Sequence, residues 1–410
     1  MSRHFILPTL TLPAVLILAC QDQPTEPKTD ERGPADPAAV LTSNIAIDKV
    51  GDVGAHTSLE IGPDKRMHVT YANRDGGFKY ATCGGSCGSA SSWVRGVIQA
   101  SGEITGSSLK LSAAGRLHVS YSDENGNLKV AACGPDAACT DPAEWTKTLI
   151  ESVGPFGGSS SLALGPDGSK ALSYVRRKTG SDGFLELKYA VCLSFCGQAA
   201  NWSMILVDRI TTPASFPREV TSLAIGPDGR RHISYYDPAL RRLKYATCLS
   251  GCDRSAGWKK ATIDAAYGAG WYNSVAVGQD GVIHVSYYDS WNGDLKYARC
   301  GFDCTTAARW KTVPVLASID AGEYTALYLE AGGRVHVSYF DVTNTALGYA
   351  TCGVNCTAPG SWTTGVQDQG LSSTGKYSSI EVRGAVVHIT YYDVANGDLR
   401  YLVRRPLAIP

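Results

Sequence analysis

The sequence predicts an all-β protein: a seven-bladed β-propeller with four antiparallel strands per blade, closed by a strand from the N-terminal side. Three observations predict it. One unit recurs seven times, with anchor positions His68, His118, Ala171, His232, His284, His336 and His388 spaced by 50, 53, 61, 52, 52 and 52 residues. Each copy but the last carries four short strand signals separated by turn chemistry. The last copy stops at Tyr401-Leu402-Val403 without a fourth strand, while a lone strand-like segment, Ser43 to Val50 (SNIAIDKV), precedes the first. Four-stranded units of this period pack radially as blades. The mismatch between the two ends is what a ring needs to latch, and latching hides edges that an open array would expose.

The elements follow from the repeat, S-L-x-x-G-P-D-G-x-x-H-V-S-Y-Y-D-x-x-x-G-x-L-K-Y-A-x-C-x-x-x-C. In the fourth copy the strands are Thr221 to Ile225, Arg231 to Tyr236, Leu243 to Thr247 and Trp258 to Ile263. Gly226-Pro227-Asp228-Gly229 turns the chain between the first two, because proline presets φ and glycine accepts a positive one. Asn292-Gly293 and Asn396-Gly397 mark hairpins between the second and third strands. A cysteine pair closes the turn between the third and fourth. The propeller is expected to span residues 43–405.

Thirteen cysteines are present. Cys20 ends Ile17-Leu18-Ala19-Cys20, which follows a short basic start (Arg3) and an apolar run. That layout is a secretory signal, and its last four residues resemble a bacterial lipobox, so residues 1–20 are expected to be a lipoprotein signal peptide with Cys20 the lipidated residue. Residues 21–42 are Pro-rich and polar and are expected to form a disordered tether. Gln21, rather than Asp, after Cys20 points to the outer membrane. The other twelve cysteines fall into six close pairs: Cys83/Cys87, Cys133/Cys139, Cys192/Cys196, Cys248/Cys252, Cys300/Cys304 and Cys352/Cys356. In an exported chain such pairs are disulfides. Zinc would need two pairs to converge, whereas each pair sits in its own repeat.

Lys plus Arg (38) equals Asp plus Glu (38), which gives no electrostatic reason to expect nucleic acid. There is no Walker loop, no His-Glu-x-x-His and no dinucleotide fingerprint. Gly84-Gly85-Ser86-Cys87-Gly88 fits G-x-S-x-G only formally, since it lies in a disulfide hairpin and not at a strand-to-helix elbow. No cofactor is expected. The Asp-Asn loops are the one place for calcium, with Asp289, Asp294, Asp393 and Asp398 as candidate ligands, although they do not match an EF-hand loop.

Residues repeated around a ring serve every blade alike, so the recurrent His, Ser and Tyr are expected to be structural. Buried between blades, they need hydrogen-bond partners, which neighbouring copies are expected to supply. Departures from the repeat point to a site. In the loop leading into each first strand, one position reads His56, Gly106, Ser159, Val220, Tyr272, Tyr324 and Tyr377. Its ring-bearing residues come from blades 5, 6, 7 and 1, which adjoin around the circle. Trp271, Trp291, Glu323, Asp289, Asp341 and Asp393 should lie near the same sector. Aromatic faces with carboxylates suit sugar rings or a peptide. Blade 3 departs differently, with a long loop from Val175 to Leu185 that includes Arg176, Arg177 and Lys178, and a stretched linker from Asp208 to Glu219.

The repeats resemble the bacterial superfamily of sialidase-like and BNR-repeat propellers. That resemblance implies the fold. It also implies an Asp box, S-x-D-x-G-x-x-W, between strands three and four, and here Cys-x-x-x-Cys followed by Trp258, Trp310 or Trp362 takes its place. Sialidase chemistry further implies an arginine triad and a Tyr/Glu nucleophile pair, yet the leading loops of blades 5 to 7 contain no Arg. The expected protein is therefore a monomeric, exported propeller, lipid-anchored to the cell envelope, that binds a glycan or an envelope protein without catalysis. The alternatives are a sialidase-like glycoside hydrolase or polysaccharide lyase, and an outer-membrane assembly scaffold.

Overall fold

The computed structural model describes residues 39–135, 137–154, 160–178, 184–211, 221–368 and 373–406. Seven four-stranded antiparallel sheets form a ring. Blade 4 is typical, with strands Thr221–Ile225, Arg231–Asp237, Arg242–Cys248 and Lys259–Asp264. The first strands of successive blades lie side by side around a central channel, blade 7 beside blade 1. Blade 7 is completed by Ala39–Asp48, which pairs antiparallel with Asp398–Pro406. The latching strand thus begins earlier and ends sooner than the sequence suggests. Cys20 and most of the tether lie outside the described residues.

The repeated residues are structural, by three devices. The serine of the first strand accepts the backbone N–H of the next blade's first strand: Ser58 from Leu109 at 2.9 Å, Ser222 from Val275 at 3.1 Å and, across the closure, Ser379 from Leu59 at 3.0 Å. The buried tyrosine of the second strand donates to a carboxylate on the preceding blade's fourth strand, as Tyr287 to Asp264 and Tyr71 to Asp48, both at 2.7 Å. A lysine on the third strand completes that clamp, Lys296 to Asp264 at 2.5 Å and Lys79 to Asp48 at 2.6 Å. Blade 6 lacks the clamp's acid and base together, with Leu316 and Gly348 at those places.

The histidines correct an expectation. Their partner belongs to the same blade, not to a neighbour: His68, His232, His284 and His336 bond through Nδ1 to Tyr80, Tyr245, Tyr297 and Tyr349, each at 2.6 Å. The strand pairing explains it, since each histidine stands near this tyrosine across the second and third strands. Blade 2 has Val130 in the tyrosine's place, and His118 Nδ1 is buried without a partner. Burial pushes His68, His232, His284 and His388 down to about 4, and His118 to about 3.

The six cysteine pairs are disulfides: Cys83–Cys87, Cys133–Cys139, Cys192–Cys196, Cys248–Cys252, Cys300–Cys304 and Cys352–Cys356. The two members of a pair are not equivalent, which the sequence reading did not distinguish. The first cysteine ends the third strand, as Cys192, Cys248 and Cys352 do. The second, such as Cys196, Cys252 or Cys356, lies beyond the strand in the turn. These second cysteines are bridge partners, as expected, and their carbonyls also hold the tryptophan that follows each hairpin. The indole N–H of Trp202 donates to Cys196 O at 3.0 Å, that of Trp258 to Cys252 O at 3.3 Å and that of Trp362 to Cys356 O at 2.9 Å. Trp93, Trp145 and Trp310 do the same to Cys87, Cys139 and Cys304. A buried indole needs such an acceptor, and the bridge fixes where the acceptor stands.

The long blade 3 loop is largely strand: Lys170–Lys178 and Phe184–Cys192 continue the hairpin outward, and Arg176 pairs with Glu151 at 2.9 Å. Residues 179–183 and most of the stretched linker (212–220) lie outside the described residues.

Candidate functional site

The first strands of blades 1, 5, 6 and 7 each break register at the channel mouth, between Ala55 and Ser58, Trp271 and Ser274, Glu323 and Ala326, and Lys376 and Ser379. One residue in each bulge adopts the left-handed conformation: His56 (φ 51°), Tyr272 (φ 51°), Tyr324 (φ 53°) and Tyr377 (φ 54°). For a bulky side chain this costs roughly 1–3 kcal/mol, and such outliers gather where function retains them. Two residues earlier stands a glycine, Gly54, Gly270, Gly322 or Gly375, at φ between 110° and 123°. A Cβ on these glycines would stand 2.6–3.0 Å from the Cα of Leu399, Leu243, Leu295 or Leu347 on the preceding blade. The segments GAHTS, GWYNS, GEYTA and GKYSS therefore spell one motif, whose glycine brings the strand close and whose ring the bulge turns into the mouth.

The bulges bring four rings into a crescent. Ring centroids lie 4.3 Å apart from Tyr272 to Tyr324, 4.4 Å from Tyr324 to Tyr377 and 4.2 Å from Tyr377 to His56, with the planes tilted 38–54°. Each ring is half-buried. The next blade holds the bulge in place: His56 O accepts from Ser107 Oγ at 2.6 Å, Tyr272 O from Thr325 Oγ1 at 3.0 Å, and Tyr324 O from Ser378 Oγ at 3.2 Å. Those hydroxyls belong to a ring of seven small polar side chains, from Thr57 in blade 1 to Ser378 in blade 7. Each of the seven bonds to a hydroxyl on the preceding blade's second strand. The crescent and this ring line a cavity of ≈ 190 Å³. At the mouth of blade 2 the corresponding residue is Gly106, and Ser159 and Val220 lie outside the described residues.

A second tier of aromatic residues extends the crescent. Trp271 meets Tyr236 and Tyr272 edge-on, at 6.0 and 6.2 Å. Tyr288 donates to Asp320 at 2.7 Å, and Tyr392 donates to Asp52, which Arg74 approaches at 3.8 Å. Lys376 Nζ stands 5.0 Å over the Phe340 ring. Burial, then Asp320, then Glu323 push the Tyr288 hydroxyl well above its ordinary value, placing Glu323 beside this cluster. Trp291, 69% exposed, stands edge-on to Tyr267 at 5.0 Å, with Arg241 4.9 Å over the Tyr267 ring. Sequence reasoning named Trp271, Trp291 and Glu323 but missed Tyr236, Tyr267, Tyr288, Phe340 and Tyr392. A signal existed: the residue before the repeat's Asp is aromatic in blades 4 to 7, but Ala72, Ser122 and Val175 hold the place in blades 1 to 3.

The Asp-Asn loops are turn caps. Asp289 accepts from the Trp291 and Asn292 backbone and from Asn292 Nδ2, and Lys296 lies 3.5 Å away. Asp393 is held likewise by Asn396 and Arg400. Asp294 and Asp398 face them across the hairpins, and burial raises both carboxyls. Among the described residues no three His, Cys, Asp or Glu side chains gather as a metal site.

No family model and no curated relative matches the chain. Solved structures do, at low identity. Hydrazine synthase of Kuenenia stuttgartiensis aligns with a TM-score of 0.56 at 11% identity, over 87% of this chain and 96% of that one. Polysaccharide lyase Uly1 aligns with a TM-score of 0.54 at 11% identity, over 88% and 91%. SapL1 lectin in complex with alpha methyl fucoside aligns with a TM-score of 0.50 at 14% identity, over 79% and 100%. Similarity at this level establishes the propeller class and leaves the ligand to the site.

Proposed function

We propose that this protein is an exported, lipid-anchored propeller that binds glycan chains across the crescent face, without catalysis of its own. The observation that carries the reading is the run of four rings, His56, Tyr377, Tyr324 and Tyr272, held in a strained backbone conformation at a solvent-reached mouth. Aromatic faces stack on the apolar faces of sugars, and the flanking Asp320, Glu323 and Lys376 offer polar partners for hydroxyls. Two of the structural neighbours are named for carbohydrate, and hydrazine synthase is not, so the rings bear the weight. Six disulfides suit an oxidising compartment, and lipidation of Cys20 would supply the membrane attachment.

A cleaving activity has one observation in its favour, the carboxylates of Asp320 and Glu323 beside Tyr288. Against it, burial and Asp320 push the Tyr288 hydroxyl up. That makes it a poor base or nucleophile near neutral pH. The test is a glycan microarray probed with the full chain and with its Tyr272→Ala/Tyr324→Ala variant, followed by an assay of each bound polysaccharide for new chain ends. Binding that the variant loses, with no new ends, supports the reading. Silence across the array contradicts it, and new chain ends replace it with the lyase or hydrolase.

A further inference from the structure

The ring has a second face, built from the turns between first and second strands and from the six disulfide hairpins. The path of the chain fixes what leaves from it. Ala39, where the latching strand begins, pairs with Pro406, at the end of the blade 7 strand whose earlier residue Arg404 faces Val387, just past the turn between that blade's first two strands. Ser43 lies against Gly88, beside the blade 1 hairpin. The strand's other end, by contrast, reaches the crescent face, where Val53 N–H donates to Gly397 O in a loop between second and third strands. Ala39, the first described residue, therefore lies on the disulfide face. Only eighteen residues, 21–38, separate it from Cys20, a reach of at most about 60 Å fully extended.

That face also carries a one-sided set of apolar tips. Leu193 and Phe195 of blade 3, Leu249 of blade 4, Phe302 of blade 5 and Val354 of blade 6 stand at the tips of consecutive hairpins and are 45–80% exposed. Blade 1 offers Gly84, Gly85 and Ser86 instead. Each tip sits within a loop closed by its own disulfide, so exposing it costs no folding of the core. Between the blade 3 and blade 4 hairpins lies a cleft of ≈ 450 Å³, with Leu193 and Leu249 at its sides and Tyr189 and Arg231 along it. An apolar lip beside an arginine matches an amphiphile with a polar head and a greasy chain. Large apolar tips repeated on consecutive hairpins along one arc of one face form a candidate interaction surface.

We propose that the disulfide face is the membrane-facing side of the anchored protein, with the apolar hairpin tips of blades 3 to 6 dipping into a phospholipid surface and the crescent turned outward. This rests on the reading of Cys20 as the lipidated residue. The acylated cysteine supplies the attachment, since more than one acyl chain already anchors a protein durably; the tips supply a second contact that orients the domain. Because the tether confines the domain beside the bilayer, weak contacts suffice.

The test uses the full chain, processed in a lipoprotein-making bacterium and reconstituted into phosphatidylethanolamine/phosphatidylglycerol vesicles with or without brominated phosphatidylcholine, a quencher confined to the acyl region. Flotation of the wild type and not of Cys20→Ser establishes the anchor. Phe195→Trp, on the tips, and Val50→Trp, on the crescent face and 71% exposed, are then compared with the wild type by fluorescence. The expected result is loss of the added emission for Phe195→Trp in brominated vesicles and none for Val50→Trp. A floating protein whose Phe195→Trp emission is unchanged, or whose Val50→Trp emission falls equally, overturns the orientation and leaves the anchor standing. A wild type that stays out of the vesicle fraction overturns the anchor, and the orientation with it.

Discussion

Blade 2 and blades 5 to 7 reach the channel by the same backbone plan and present opposite surfaces there. Gly106 is left-handed at φ 74°, like Tyr272, Tyr324 and Tyr377, and the register skips beside it too. Glycine takes that conformation at little cost, whereas tyrosine does not. The ring closes as well through blade 2 as through blade 6, so the fold does not need the rings. Three tyrosines and a histidine are held there against a backbone cost that glycine avoids. Beneath them, all seven blades supply a small polar side chain to the channel, the symmetric pattern of a structural part. Repetition marks the scaffold, and broken repetition marks the candidate site.

The largest effect that could break this contrast is at the centre of the crescent. Tyr324→Gly makes blade 6 resemble blade 2. It removes ring contacts to both Tyr272 and Tyr377, each worth about 0.5–1.5 kcal/mol, but relieves backbone strain of similar size. Glycan binding should therefore fall at least about tenfold in a microarray titration, while the melting temperature moves little. Gly322→Ala should do the reverse of a neutral change. Its Cβ would meet Leu295 Cα at 2.9 Å at φ 123°, and denaturant titration should show a loss of about 2–4 kcal/mol. Gly168→Ala, with nothing within 4 Å, should lose only about 1 kcal/mol.

Acid probes the symmetric part. Four of the repeated histidines are pushed down to about 4 by burial and a fifth to about 3, while the unfolded chain protonates near 6.5. Between these values the unfolded state binds more protons. Stability is thus fully present above pH 6.5 and is lost as pH falls towards 4. Glu381, Asp294, Asp341 and Asp398 run the other way, since burial raises their carboxyls, but five imidazoles outnumber these four. Calorimetry at pH 7.5 and pH 5 should show a clear drop in melting temperature at the lower pH. The smallest expected effect is a gain: Gly106→Tyr should add a fifth ring beside His56 and tighten binding several-fold, at a stability cost of about 1 kcal/mol.

Much of this is legible in the sequence alone, because it is written as periodicity. The seven blades, the N-terminal latch, the cysteine pairs and the crescent positions all follow from spacing and from departures from spacing. Other features depend on geometry that spacing does not carry. Whether His284 meets Tyr297 of its own blade or a neighbour's side chain is decided by strand register. That Cys196, Cys252 and Cys356 serve the indoles of Trp202, Trp258 and Trp362 through their carbonyls depends on the path of the turn, which a cysteine count does not reveal. The Gly-x-Tyr bulge was spelled out at Gly322-Glu323-Tyr324, but its meaning lies in a positive φ. Tyr236 and Phe340 looked like ordinary repeat residues until the chain path set them beside Trp271 and Lys376. The blade 3 loop looked irregular because its charges mask strand pairing, and Arg176 turned out to be paired with Glu151.

The most direct test of the central claim is hydrogen–deuterium exchange of the full chain with and without the oligosaccharide that binds tightest on the microarray. The account predicts added protection in the leading segments of blades 5, 6, 7 and 1, around Tyr272, Tyr324, Tyr377 and His56, and none around Gly106. Protection spread evenly around the ring, or confined to the blade 2 side or the disulfide face, would contradict it.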